Sequence, residues 1–310
     1  MLLKNLILHR LPEDWSPDAD TLDEKLSRSA LRACGSFEME SRGWVPPEDE
    51  GAFVYRQNRH WLLAFGVEQK LLPASVIRQR AEERVAEIAK TLPHPVGRKQ
   101  KRDIKDQVTE ELLPRALTRR RVTHAWVDSM TGLLAIDAAG DARAEPLLES
   151  LRRIDENLDA VRVDTETSPS TAMSRWILDR DVPGRFSIDD DLELRATDAT
   201  KATVRYVRHG LDGKDIRDHI AAGKVPVRLG LTWNDRISFV LTEHLHVKRL
   251  RFVGLLNKEP GAEDNDVDEG EQFDIDFTLV TGELAEMLKD LFHVLGGEKA
   301  RGRDPLKAAA

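Results

Sequence analysis

Only one cysteine, Cys34, occurs in the 310 residues. A single thiol excludes an intrachain disulfide framework and fits a reducing cytoplasm. No apolar run approaches the roughly 20 residues that span a bilayer. The start, MLLKNLILHR, carries charges inside a short apolar run, so it reads as a first strand rather than a signal peptide. Neither G-x-x-x-x-G-K-[ST] nor G-x-G-x-x-G occurs, which removes the glycine-rich loops that cradle phosphates. Aromatic residues make up 5% and are not interleaved with the basic runs, which speaks against a base-stacking platform for single strands. Acidic residues outnumber basic ones, 55 to 47, for a formal net charge of −8. That excludes a histone-like cationic coat but not a local basic field.

Catalytic groups are equally scarce. Cys34 has no neighbouring histidine and lies in a turn-forming stretch, so it reads as packing rather than as a nucleophile. H-E-x-x-H is absent, and His244 with His246 share a strand face without a third ligand. Asp264, Asp266, Asp268, Asp274 and Asp276 are carboxylates of the kind that bind Mg²⁺. The first three lie in a loop lacking calcium-loop spacing. The last two alternate with Phe273, Ile275 and Phe277, as the outer face of a strand would. The expectation is therefore no catalytic centre, no metal and no cofactor.

What is present is a 40% hydrophobic, 33% charged chain, long enough for a sizeable core and more than one domain. Within it, Arg98–Arg121 concentrates positive charge at two places. Arg98, Lys99, Lys101, Arg102 and Lys105 open the stretch, and Arg115, Arg119, Arg120 and Arg121 close it. A solvated helical face explains this. So does a phosphate-contacting surface, because Lys and Arg replace counterions condensed on nucleic acid. Further basic residues (Arg205, Arg208, Lys224, Arg228, Lys248, Arg249, Arg251) mark later strands, where Arg249 and Arg251 share one side and Lys248 points opposite.

The periodicities predict an α+β fold with mixed and antiparallel sheets and a helical-hairpin insertion. A strand over Leu3–Leu11 precedes a helix opened by a capping box at Thr21–Glu24. The stretch 34–47 reads as a loop anchored by Trp44, and Phe53–Tyr55 with Trp61–Val67 as a hairpin. A helix capped by Ser75 and ended by Pro93 and Pro95 precedes a second one from near Asp103, with the first basic cluster at the bend. A hairpin over His124–Asp137, helices at Ala144–Leu158 and Ser170–Leu178, and a strand at Val161–Val163 follow. Beyond Pro183, strands at Leu192–Ala196 and Thr203–Arg208 and a helix at Lys214–Ala222 lead into a meander, Val225–Trp233, Ile237–Thr242 and Leu245–Val253, with a tight Asn234–Asp235 turn. Glu259–Glu271 reads as a mobile acidic loop, Phe273–Val280 as a final strand and Glu283–Leu295 as a helix capped by Thr281 and stopped by Gly296–Gly297. The domains are then a discontinuous α+β domain, 1–72 plus 122–182, a helical tip at 73–121, a base at 183–298 and a disordered tail at 299–310.

Several segments together resemble one family. They include Lys4–Leu6 (KNL) with Arg10–Leu11, Cys34–Ser36 with Gly43–Pro47 (GWVPP), Leu72–Pro73, Leu112–Ala116 (LLPRA) and Trp126–Asp128 with Gly132–Leu133. His219–Ile220, Ala222–Lys224, Lys248–Leu250, Thr281–Ala285 and Leu295–Glu298 complete the set, in order and over nearly the whole chain. The resemblance is to the bacterial recombination-associated RdgC family.

That resemblance implies a non-enzymatic protein, cytoplasmic and nucleoid-associated. Its ring-shaped homodimer would accommodate double-stranded DNA in a basic hole and also bind single strands, restraining RecA-promoted strand exchange, with no membrane partner. The residues it puts forward for DNA contact are Arg115, Leu117, Arg119, Arg120, Arg121, Arg205, Arg208, His209 and Lys224. Relatives carry phenylalanine where this chain has Leu117, a smaller wedge for bending DNA. Two other readings stay open: a protein-interaction module that inhibits a recombinase by direct contact, and a metal-dependent nuclease.

Overall fold

The computed structural model describes residues 3–15, 18–48, 51–91, 94–155, 158–253 and 269–300. β1 (Asn5–Arg10) is followed by α1 (Ala19–Ser27) and β2 (Glu40–Val45). β3 (Tyr55–Gln57) and β4 (His60–Lys70) turn at Asn58, whose φ is 55°. α2 (Ala74–Thr91), α3 (Arg98–Leu112) and a 3₁₀ turn at Leu113–Arg115 lead to β5 (Thr118–Asp128) and β6 (Leu133–Ile136). Then come α4 (Asp141–Ile154), β7 (Val161–Arg162), α5 (Pro169–Asp179), β8 (Phe186–Ala196) and β9 (Thr203–Tyr206). α6 (Lys214–Ala221), β10 (Lys224–Trp233), β11 (Ile237–Thr242), β12 (Val247–Phe252) and α7 (Glu269–Val294) complete it. The fold is thus mixed α and β, with seven α-helices among the described residues and a large antiparallel sheet.

Contacts divide the chain into two units. The first comprises Met1–Pro17, Arg56–Leu62 and His124–Ala310; the second comprises Asp18–Tyr55 and Leu63–Thr123. In the first unit the strand order runs β6-β1-β12-β11-β10-β8-β9. The hydrophobic alternation of β10 explains one layer. Val227, Leu229, Leu231 and Trp233 are buried where α5 packs on β10 and β11, so Arg228, Gly230 and Thr232 stand on the other face. The β10–β11 turn is the tight one expected, with Asn234 and Asp235 at φ 51° and 53°. Positive φ at both positions gives the twist that a two-residue hairpin needs. In the second unit β2 pairs with β4 over Glu40–Val45 and Ala64–Gln69. α2 and α3 close on a small core of Ile77, Ala81, Val96, Ile104 and Val108.

Several expectations are corrected here. Phe273–Val280 is helical, not a strand: it forms the first half of α7. The F-D-I-D-F alternation is local, whereas Phe277, Val280, Thr281, Leu284, Met287, Leu288 and Leu291 are all buried at helical spacing. Thr281 lies inside that helix and donates its hydroxyl to Phe277 O at 2.7 Å instead of capping. Gly296 and Gly297, at φ 84° and 94°, do stop it. The cap of α1 is Asp18, whose carboxylate accepts from Thr21 N–H at 3.0 Å. Ser75 is within α2, whose first turn bonds back to Pro73 O. Trp44 is on β2, 1% exposed, because Trp44 N–H and O pair with Ser29 and Leu31. α4 ends at Ile154, short of Leu158. Asp264, Asp266, Asp268, Pro93 and residues 301–310 lie outside the described residues.

Candidate nucleic-acid interface

In the second unit the opening basic cluster is on α3 itself, not at a bend, because the helix starts at Arg98. Its first turn contains no acidic residue, and Gly97 supplies no side-chain cap. Arg98, Lys99 and Lys101 thus face the end of the helix that already carries partial positive charge, where cations are disfavoured. Helix stability does not account for them. Lys101 and Lys105 rim a groove of about 520 Å³ floored by Ala81, Val85 and Ala86, with Arg78 and Glu82 opposite.

The closing cluster lies where the chain leaves the helix pair. Arg115 ends the 3₁₀ turn, and Arg119, Arg120 and Arg121 lie on β5. The strand begins this early because Leu117 O accepts from Leu71 N–H at 2.7 Å. All four arginines are exposed, and none is in an ion pair among the described residues. Arg80 and Arg84 of the same unit, in contrast, are held by Glu83 and Glu111. Alternation puts Arg119 and Arg121 on one face and Arg120 on the other. Leu117 is 77% exposed.

In the first unit, Arg205 is on β9, with Glu193 its cross-strand neighbour. Arg208 follows at φ 52°. Both are exposed and outside any ion pair among the described residues. His209 is exposed, with Nδ1 2.8 Å from Gly210 O and its ring 5.4 Å from that of Tyr206. Tyr206 donates to Asp215 at 2.7 Å, and burial with that carboxylate pushes its phenol up to about 12. Lys224 opens β10 with its Nζ 3.2 Å from His219 Nδ1. Arg205, Arg208 and Lys224 are therefore not equivalent: the lysine is half-buried and engaged, the arginines are not.

Lys248 does not point away from Arg249. Both line one recess with Arg205, Arg228, Asp191 and Glu193, and Arg251 is not part of it. A bulge in β12 breaks the two-residue alternation, and nothing in the residue types announces it. Asp189–Asp191 on β8 likewise escaped sequence reasoning. They bulge against Gly230, where a Cβ would come within 3.0 Å of Asp189 Cβ. Burial raises the Asp189 carboxyl above its ordinary value, and Thr232 donates to it at 2.8 Å. Asp274 and Asp276 are on α7, so the alternating strand face imagined for them does not exist. No three His, Cys, Asp or Glu side chains are grouped to hold a metal among the described residues. No helix among them is long and apolar enough to cross a membrane.

The geometry defines a class first: a mixed α/β chain with exposed, unpaired arginines on both of its units. Comparison then supplies the kinship. The family model described as "Putative exonuclease, RdgC" matches residues 1–298. A "Recombination-associated protein RdgC" from Dechloromonas aromatica (strain RCB) is 45% identical over 301 residues, covering 96% of this chain and 98% of the relative. A protein of the same name from Burkholderia cenocepacia is 46% identical over 301 residues, 96% and 97% of the two chains. One from Herminiimonas arsenicoxydans is 43% identical over 303 residues, 97% and 100%. The chain belongs to the RdgC family.

Proposed function

We propose that the protein acts in recombination by binding the DNA backbone with little base readout. In this reading a ring-shaped homodimer encircles duplex DNA, also accepts single strands, associates with the nucleoid and restrains RecA-promoted strand exchange. Residues 73–121 form the tip of each subunit and 183–298 its base. The observation that carries the reading is the set of six exposed arginines, Arg115, Arg119, Arg120, Arg121, Arg205 and Arg208, unpaired among the described residues of a chain with net charge −8. Cations left without carboxylate partners are free to displace counterions from phosphates, and guanidinium suits phosphate geometry. With few aromatics available, phosphate contact positions the protein without reading sequence.

Charge reversal at Arg119, Arg120 and Arg121 together tests this. Duplex affinity falls by roughly 100-fold or more at low salt, equally for unrelated sequences. Unchanged affinity in a folded variant sinks the assignment. The family model's description carries a different expectation: Mg²⁺-dependent shortening of DNA from its ends by the purified chain. Inhibition of a recombinase by a variant unable to bind DNA would instead favour direct protein contact.

A further inference from the structure

β12 departs from regular pairing at one point. Ser238 and Val240 on β11 face Arg251 and Lys248, so two steps on one strand span three on the other. The extra residue falls beside Arg249, whose φ is 56°. That left-handed backbone is costly for a residue with a Cβ and is routine only for glycine and, less often, asparagine or aspartate. The bulge is held from β1: Arg249 N–H donates to Asn5 Oδ1 at 3.3 Å, and Leu250 N–H to Lys4 O at 2.9 Å. An arginine in such a position calls for a reason beyond the backbone, and bulges next to functional sites re-aim side chains.

Here the bulge brings Lys248 and Arg249, adjacent in sequence, to the recess already lined by Arg205 and Arg228. Four cations meet two carboxylates, Asp191 and Glu193. Glu193 is engaged by Arg228 at 3.6 Å and by Arg195 at 3.5 Å. Arg205, Lys248 and Arg249 have no ion pair among the described residues. Burial, and after it the nearby Arg228, hold the Lys248 ammonium below its ordinary value. The recess has a volume of about 30 Å³, room for about two water-sized groups at ~10–15 Å³ each. Two non-bridging phosphate oxygens match that size and take guanidinium donors in pairs.

We propose that this recess is a seat for a single phosphate group, built by the bulge at Arg249. It rests on the DNA-binding reading for its natural ligand, a backbone phosphate, which it would fix at one register on the first unit's sheet. Its chemistry does not depend on that reading, because inorganic phosphate fits the same cations.

The test follows the Lys248 side chain by NMR in the full-length protein, with its signal assigned by loss in Lys248→Arg. Inorganic phosphate and a short duplex are titrated separately. Both shift the signal and raise the Lys248 pKa. Arg249→Gly keeps the bulge, since glycine adopts its φ freely. It melts no lower than the native chain, yet binds phosphate about 10-fold more weakly. Its duplex salt slope is shallower by about 0.9. Should that variant fail to fold, Arg205→Gln on the exposed strand carries the same comparison. Duplex binding with Lys248 unmoved, or an unchanged salt slope in the folded variant, overturns the seat and leaves the DNA reading intact. A Lys248 that responds to phosphate in a protein that binds no duplex supports the seat and overturns the DNA reading.

Discussion

On the α3–β5 side, Arg115 and Arg119–Arg121 project from a turn and a strand end beside a helix pair with five buried core residues. On the β-meander side, Arg205, Arg228, Lys248 and Arg249 are grouped by strand register and a left-handed bulge over a deep core containing Leu229, Leu231, Trp233 and Phe239. The first arrangement leaves long side chains free to follow a phosphate wherever it lies. The second gathers four cations around one recess, beside Asp191 and Glu193. Adaptable contact favours tolerance of sequence and shape, and preorganised contact favours a fixed register.

The largest effect that sharpens the contrast is on stability. Trp233 is 1% exposed, donates to Asp290 at 2.8 Å and lies 4.6 Å under the Arg185 guanidinium. Trp233→Ala therefore costs about 3–5 kcal/mol in urea unfolding, against about 2 kcal/mol for Ile104→Ala, whose small helical core collapses more readily. Equal losses would mean that the helix pair is no more thinly supported than the meander.

Acid acts on the first unit. His9 and His246 are buried and held down to about 4, chiefly by burial and then by Arg162. His60 and His124 are also lowered, chiefly by burial. A histidine with a depressed folded pKa contributes stability that is complete above its unfolded value near 6.5 and is lost as pH falls toward 4. Stability should drop through that window, by ~3 kcal/mol at most for either of the two lowest groups, and the melting temperature should fall with it. His246→Phe should flatten the drop. A flat profile from pH 6.5 to 4 contradicts the burial account.

Smaller still is the split within the arginine run. Arg119→Glu and Arg121→Glu, on one face of β5, should shift duplex affinity alike, and Arg120→Glu should differ from both by about 10-fold. Three identical shifts would mean that the strand end is not held as described. Leu117→Ala should change stability by no more than about 0.5 kcal/mol, since the side chain is exposed. Leu117→Phe, with more apolar area to wedge between bases, should tighten duplex binding a few-fold.

Much of this was legible beforehand because burial writes a period into the chain. β1, β6, β10 and β11, the α4 stripe of Leu147, Leu148 and Leu151, and the Asn234–Asp235 turn follow from residue type alone. Two of the misreadings share one cause, a local pattern overruled by tertiary packing. Phe273–Phe277 alternates like a strand but belongs to the long apolar stripe of α7. Trp44 sits among turn formers yet pairs with Ser29 and Leu31. At the candidate site, residue type singled out Arg205 and Arg119–Arg121, which are exposed in the structure. It did not indicate that Lys248 joins Arg249, because a positive φ at an arginine has no signature in sequence.

Duplex affinity of the native protein across a salt series is the most direct test of backbone binding by these unpaired arginines. Six phosphates neutralised by the six arginines predict a log–log slope of about −5 or steeper. A slope shallower than about −1, with the protein folded, would contradict the account.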